Sequence, residues 1–367
     1  MGTSLTPHLD APLLARLPEA QQYASDCFRA PPPTGCGAVY LVTGRTSAQL
    51  PGLPTFFATL ANRSATSLKQ WLPSARASLV LSYDAAAPAL PHCVTSAFDE
   101  VVRLPRPAHV PAHRAWLEKA FLLAAGQRLY GKAVFFDADT EIMHADVAYL
   151  FAWLHVDRYS FMAVPEVSTS RSRRALRGHP IFNTGMLALN TRDPLVQTLL
   201  RRWQESTAQS SAALRSTDVL RRMLDAGDFH PFNLTRGEAE VVLPNDQFGL
   251  ARQLTLTHAI PEVRHLSRVA LPPRFNFRGK YGHGDVAEVV VNHDSRRKEE
   301  DLRKNLRKIY NLPPLRVIRN GVATQSQIRR VRKATIPLGS HVPALSRNPD
   351  LRGHSRRHRR LHIVGSE

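Results

Sequence analysis

The spacing of apolar residues in the first half of the chain switches repeatedly between two periods. Short apolar runs at Ala38–Thr43 (AVYLVT), Ser78–Tyr83 (SLVLSY) and Ala133–Phe136 read as buried strands, with Val101–Leu104 as a further candidate. Between them lie helical stretches near 54–71 and over Arg114–Tyr130. In the second, Trp116, Ala120 and Leu123 share one face, with Leu117, Phe121 and Ala124 beside them, and Gly131 stands where a C-cap glycine would close the helix. Strands alternating with helices in this way predict an α/β fold with a mostly parallel, doubly wound sheet flanked by helices.

Further along, Asp146 is placed to cap a helix reading DVAYLFAWL, and Ser160–Val164 and Phe182–Asn190 are strands. Helices follow near 193–206 and 214–226, Asn245 is placed to cap one more, and Val289–Val291 is a last buried strand that runs into Asn292-His293. Residues 165–180 are polar, basic and too long for a plain connection, which predicts a functional or mobile loop. Three segments result: an irregular Pro- and Ala-rich extension over 1–36, an α/β domain over 37–310, and a basic, flexible tail over 311–367. No internal repeat is visible.

Charge changes this picture less than its size suggests. The net charge of +19 resembles that of a nucleic-acid binder, but residues 296–367 carry +14 of it and the first 295 residues only +5. Basicity is thus a property of the tail, which could contact polyanions nonspecifically yet lacks the interleaved aromatics that base stacking needs. His354, His358 and His362 stand at helical spacing in that tail, but a disordered basic segment is the expectation there. Three cysteines are too few for a disulfide framework; Cys27 and Cys36 could pair in an oxidising compartment, but free thiols are the expectation. The N-terminus has no basic n-region or long apolar h-region, and no apolar stretch reaches the roughly 18 residues of a membrane span. Asn62-Arg-Ser64 and Asn233-Leu-Thr235 are glycosylation sequons of a kind that also arises by chance.

The chemistry concentrates where the strand Val134-Phe-Phe ends on Asp137-Ala138-Asp139-Thr140. Open α/β sheets place ligands beyond the carboxyl ends of their strands, and two carboxylates in such a turn can hold a hard divalent cation and, through it, a diphosphate. No Gly-x-Gly-x-x-Gly follows the first strand and no P-loop occurs, so dinucleotide oxidoreductases and P-loop NTPases lose their main support. An Asp-nucleophile phosphatase would begin Asp-x-Asp-x-Thr, whereas here Thr140 stands one place early and Glu141 takes the expected position.

Tyr130-Gly-Lys132-Ala-Val134-Phe-Phe-Asp137-Ala-Asp139-Thr140 resembles the acidic segment of GT-A nucleotide-sugar glycosyltransferases, closest to the retaining glycogenin and galactosyltransferase-like group. The resemblance continues in order through Leu150-Phe151, Phe182-Asn183-Thr184-Gly185, Asp246-Gln247, Leu271-Pro272 with Phe275-Asn276, and Val289-Val-Val-Asn292-His293. It implies a GT-A fold and transfer of a sugar, with retention, from a nucleoside diphosphate donor (UDP-linked by expectation) to a hydroxyl of a glycan, protein or small molecule. By the same resemblance Asp137, Asp139 and His293 would bind Mn2+ or Mg2+, and Asn183 and Gly185 would line the sugar pocket. Asp246 and Gln247 would hydrogen-bond donor hydroxyls or face the reacting carbon, and Lys119 would point at the donor. The usual His-x-x-Gly-x-x-Lys is absent: the chain reads His293-Asp-Ser-Arg296-Arg297-Lys298-Glu299, leaving Arg296, Arg297 or Lys298 to meet the diphosphate. The loop Arg171-Ser-Arg173-Arg174 is a second basic candidate. Related eukaryotic enzymes usually work in the Golgi lumen behind a membrane anchor; none is visible here, so the compartment is cytoplasmic for the sequence as given and Golgi lumen if an anchor precedes it.

Overall fold

The computed structural model describes residues 16–31, 34–44, 53–83, 89–107, 110, 115–126, 128–166, 181–230, 232–256, 266, 268–276 and 289–293, and among these described residues nine strands and eight helices follow one another. The strands are β1 (Cys36–Gly44), β2 (Ala77–Tyr83), β3 (Glu100–Pro105), β4 (Lys132–Asp137), β5 (Thr140–Ile142), β6 (Phe161–Pro165), β7 (Phe182–Asn190), β8 (Arg268–Ala270) and β9 (Val291–His293). The helices are α1 (Leu17–Arg29), α2 (Leu53–Trp71), α3 (Lys119–Gly126), α4 (Ala148–His155), α5 (Pro194–Arg215), α6 (Thr217–Asp225), α7 (Arg236–Val242) and α8 (Asp246–Leu256). Seven strands form one sheet in the order β3-β2-β1-β4-β7-β6-β8. All its pairings are parallel except those of β7, which runs antiparallel to both β4 and β6. The expected mostly parallel α/β sandwich is therefore present, with one reversed strand that apolar patterning does not distinguish.

Burial on both faces explains the continuous apolar run of β4. Val134 and Phe136 point into the core under α1, α2 and α4, while Phe135 points into the opposite core under α3, α5 and α8. Phe135 and Phe136 are both fully buried, each contributing about 2–3 kcal/mol of apolar transfer. Tyr130 and Lys132, which open the acidic segment, hold the other end of the strand. The Tyr130 ring lies where a Cβ on Gly37 would stand, 2.2 Å away, and its hydroxyl is 2.7 Å from Ser78 Oγ. Lys132 Nζ donates to the His155 carbonyl at the C-terminus of α4 and pairs with Asp157, both at 2.9 Å. A cation at that helix end meets the negative pole of the dipole.

Several sequence expectations change. Residues 1–36 were expected to be irregular, but 17–29 form α1, whose buried Ala20, Ala24, Cys27 and Phe28 recur at helical spacing. Its Phe28 ring packs 4.7 Å from Phe151 of α4. Cys27 and Cys36, expected as free thiols, form a disulfide that ties α1 to the first residue of β1, with a Cα–Cα distance of 5.1 Å. The helix placed over Arg114–Tyr130 is shorter: a 3-10 turn over Ala115–Glu118 leads into α3, which ends at Gly126, so Gly131 caps nothing. Asp146 is not the cap of the following turn. His144 is, its Nδ1 accepting from the Asp146 amide at 3.1 Å, while the Asp146 carboxylate pairs with Arg274 at 2.9 Å. The last strand pairs not with the main sheet but with β5, in a separate two-stranded ribbon. The basic tail 311–367, with its three histidines, lies outside the described residues. Among the described residues, no helix is long and apolar enough to cross a membrane.

Lys132 is 6% exposed, so replacing it with an apolar isostere leaves the His155 carbonyl and Asp157 without their cation. Lys132→Met is expected to lower the unfolding free energy by about 1–3 kcal/mol, measured by urea denaturation.

Candidate metal and donor site

Every candidate side chain on a described residue gathers at one end of the sheet. β4 delivers Asp137 at its carboxyl end, and the turn to β5 carries Asp139. Thr140 fixes that turn: its hydroxyl donates to the Asp137 carbonyl at 2.8 Å and lies 2.8 Å from Ser64 Oγ on α2. β5 then pairs with β9 so that Thr140 stands opposite His293, which returns the third ligand candidate to the turn that holds the first two. One carboxylate oxygen from each aspartate and a ring nitrogen of His293 lie within 4.8 Å of one another. His293 Nε2 is 3.7 Å from Asp137 Oδ2 and 3.5 Å from Asp139 Oδ2, beyond direct hydrogen-bond contact.

The imidazole is held from behind. Its Nδ1 is 3.0 Å from Asn276 Oδ1, and with that nitrogen donating to the amide oxygen, Nε2 is the nitrogen turned toward the two carboxylates. Gly185 makes room for this ring: a Cβ there would meet His293 Cε1 at 2.4 Å and Nδ1 at 2.5 Å. The glycine thus lets the His293 ring pack against the backbone of β7. The reversed direction of β7 places it so, since Phe136 pairs with Met186 and one further step of the register sets Asp137 beside Gly185.

Lys119 occupies the other side of Asp137. Its Nζ is 2.9 Å from Asp137 Oδ1 and 3.0 Å from Asp246 Oδ2, and it donates to the Thr184 carbonyl at 3.3 Å. Asp137 thus splits its oxygens, one on the lysine and one facing His293. Burial disfavours the lysine's charge, but attraction and hydrogen bonds from Asp137 and Asp246 more than offset this and raise its pKa above the ordinary 10.5. A raised value means that this stabilising charge is fully present below 10.5 and is lost only as pH rises through the folded-state value.

Asp246 and Gln247 open α8, where Asn245 caps as expected, its Oδ1 accepting from the Gln247 amide at 2.9 Å. Asp246 also accepts from the Thr184 hydroxyl at 2.6 Å. Asn183 and Ala138 are buried, Asn183 with its Oδ1 accepting from the Gly185 amide at 2.8 Å. Two participants were not singled out from sequence. Thr184 sits inside the Phe182–Gly185 segment, and Glu166, the residue after β6, closes the site. Glu166 Oε2 accepts from Asn183 Nδ2 at 2.8 Å and from Gln247 Nε2 at 3.4 Å, fixing both amides. Glu166 had a legible signal, a carboxylate directly after the apolar run FMAVP, the same pattern that exposed Asp137. Lys298, Arg296, Arg297 and the loop Arg171–Arg174 lie outside the described residues.

The site brings four carboxylates (Asp137, Asp139, Asp246 and Glu166) around one lysine and one imidazole, an arrangement that favours added positive charge. The sequence matches no protein-family model and no curated protein. The structure is similar to the galactosyltransferase LgtC in complex with donor and acceptor sugar analogues, at 13% identity and a TM-score of 0.38, covering 71% of this chain and 87% of that one. It is similar to mouse xyloside xylosyltransferase 1 in its apo form, at 11% identity and a TM-score of 0.42, covering 71% and 97%. A glycosyltransferase involved in glycosylation of the major capsid of PBCV-1 is similar at 11% identity and a TM-score of 0.36, covering 73% and 99%. Likenesses of this size carry no argument by themselves.

Gly185→Ala places a methyl group against the His293 ring. The ring must move, at an expected cost of about 1–3 kcal/mol in unfolding free energy, and the His293 imidazole resonances should shift while those of His144 stay.

Proposed function

We propose that the protein is a GT-A glycosyltransferase that uses a divalent metal to move a sugar from a nucleoside diphosphate donor, UDP-linked, to a hydroxyl acceptor with retention. One observation carries this reading. Asp137 and Asp139 share one turn, and His293, 154 residues further along the chain, converges with them within 4.8 Å at the carboxyl end of a central strand. That is where an open α/β sheet binds ligands.

The residues fit a metal. Two carboxylates and an imidazole form a mixed oxygen and nitrogen set, and the imidazole favours Mn2+ over Mg2+. Asn276 behind His293 is the outer partner such a ligand needs. When bound, the ion would supply Lewis acidity to the departing diphosphate. The protein's own groups carry the remainder of the proposal. Lys119 adds a fixed positive charge beside the metal ligands, and Asp246, Gln247 and Asn183 offer polar groups to the sugar. Glu166 holds the two amides, so that the Gln247 carbonyl is free to face the donor. Gly185 keeps space for the His293 ring, and Ala138 spans the two ligands. Among residues after His293, Lys298 is the proposed diphosphate contact. Retention rests on the sequence resemblance alone.

Thermal unfolding with UDP and Mn2+, added singly and together, tests this reading. Together, at about 100 times the dissociation constant, they should add about 2.7 kcal/mol of stability, several degrees in melting temperature, with much less from either alone. Asp139→Ala should abolish the joint effect. An undiminished joint shift in that variant, or an equal shift from UDP alone, would overturn the metal assignment.

A further inference from the structure

The two glycosylation sequons differ sharply in their surroundings. Asn62 lies within α2, half-buried, and its Oδ1 accepts from the Ala97 amide at 2.8 Å. Its partner Ser64 is 0% exposed and sits 2.8 Å from Thr140 Oγ1. This sequon is consumed by the fold, its hydroxyl holding the turn that carries Asp137.

Asn233 lies in the segment joining α6 to α7, between two anchors. Phe232 is 0% exposed and Leu234 7%, so both neighbours point inward while Asn233 is exposed. Its φ of 44° is the left-handed conformation that asparagine tolerates better than most residues. Thr235, also exposed, closes the sequon as the N-cap of α7 in a capping box with Glu238. The acceptor is thus presented on a fixed surface turn.

The disulfide supplies an independent observation. Cys27 and Cys36 are 1% and 0% exposed, nine residues apart, and their Cα atoms stand 5.1 Å from one another at the joint between α1 and β1. Structural disulfides of this kind form in oxidising compartments, which in eukaryotic cells are also where N-linked glycans are attached.

We propose that Asn233 is an N-linked glycosylation site and that the chain folds in an oxidising compartment, where Cys27 and Cys36 are joined. In the modification, Asn233 Nδ2 attacks C1 of an oligosaccharide carried on a polyprenyl diphosphate. A C–N bond forms, the C–O bond to the diphosphate breaks, and one amide proton is released. The cysteine thiols give two electrons and two protons to a disulfide-exchange oxidant of the same compartment. Neither step involves the metal site, so this proposal stands or falls apart from the transferase reading.

The test is secretory expression of the full chain in eukaryotic cells behind a cleavable leader. Unreduced peptides are then mapped by mass spectrometry before and after peptide N-glycanase. The expected map carries a glycan on Asn233 in most molecules, none on Asn62, and a Cys27–Cys36 cross-link. Asn233→Asp keeps a residue that tolerates the left-handed turn and leaves the Thr235 cap intact; it should remove the whole glycan mass shift. Asn62→Asp should leave the shift unchanged, and if that variant fails to accumulate the wild-type map decides the point. An unmodified Asn233 in cross-linked protein, or Cys27 and Cys36 recovered as free thiols, would overturn the proposal.

Discussion

One ammonium group holds the two halves of the site together. Lys119 Nζ lies within 3.0 Å of both Asp137, at the end of a central strand, and Asp246, at the start of a helix from the second half of the chain. Without a shared cation these partly buried carboxylates would repel each other and lose hydration without return. With it, Asp137 keeps one oxygen turned toward His293 and Asp139. The sheet order serves this contact, because the reversed β7 brings Thr184 and Gly185 between the lysine and the imidazole.

Support for the site reaches outward in hydrogen-bonded layers. Ser64 and Thr140 fix the acidic turn, Asn276 orients His293, and Glu166 orients Asn183 and Gln247. The helix start that bears Lys119 is tethered by the preceding residue. Glu118, fully buried, accepts from Arg106 at 2.7 Å and from Ser82 at 2.6 Å, tying α3 to the ends of β2 and β3. Side chains locked by such contacts present a preformed geometry, which is what binding a small, highly charged group requires.

The strands of the first half were readable because burial on both faces leaves an uninterrupted apolar run, as in Val134-Phe-Phe. The direction of β7 was not readable, since a fully buried strand looks the same whichever way it runs. α1 was missed because its apolar face is made largely of alanine and cysteine and is preceded by a Pro- and Ala-rich stretch that hides the period. The disulfide was missed because spacing alone cannot show that Cys36 opens a strand beside the last turn of α1. In the site, the acidic pair at the end of β4 announced itself while Glu166 after β6 was passed over, and resemblance drew in His293, Asp246 and Gln247. Lys119 differed in spacing, yet the 3-10 turn before α3 sets where that helix begins and hence where the lysine points. Gly185 also makes room for the His293 ring, a role visible only when that ring is in place.

The central claim is metal-dependent attack on a nucleotide sugar, and the most direct test is release of UDP from a panel of UDP-sugars with Mn2+ present. At least one UDP-sugar should be turned over, a chelator should stop the turnover and added Mn2+ restore it, and Asp137→Ala should fall to background. Turnover that persists in Asp137→Ala or under chelation would contradict the account, as would a protein that binds Mn2+ and UDP but hydrolyses none of the sugars.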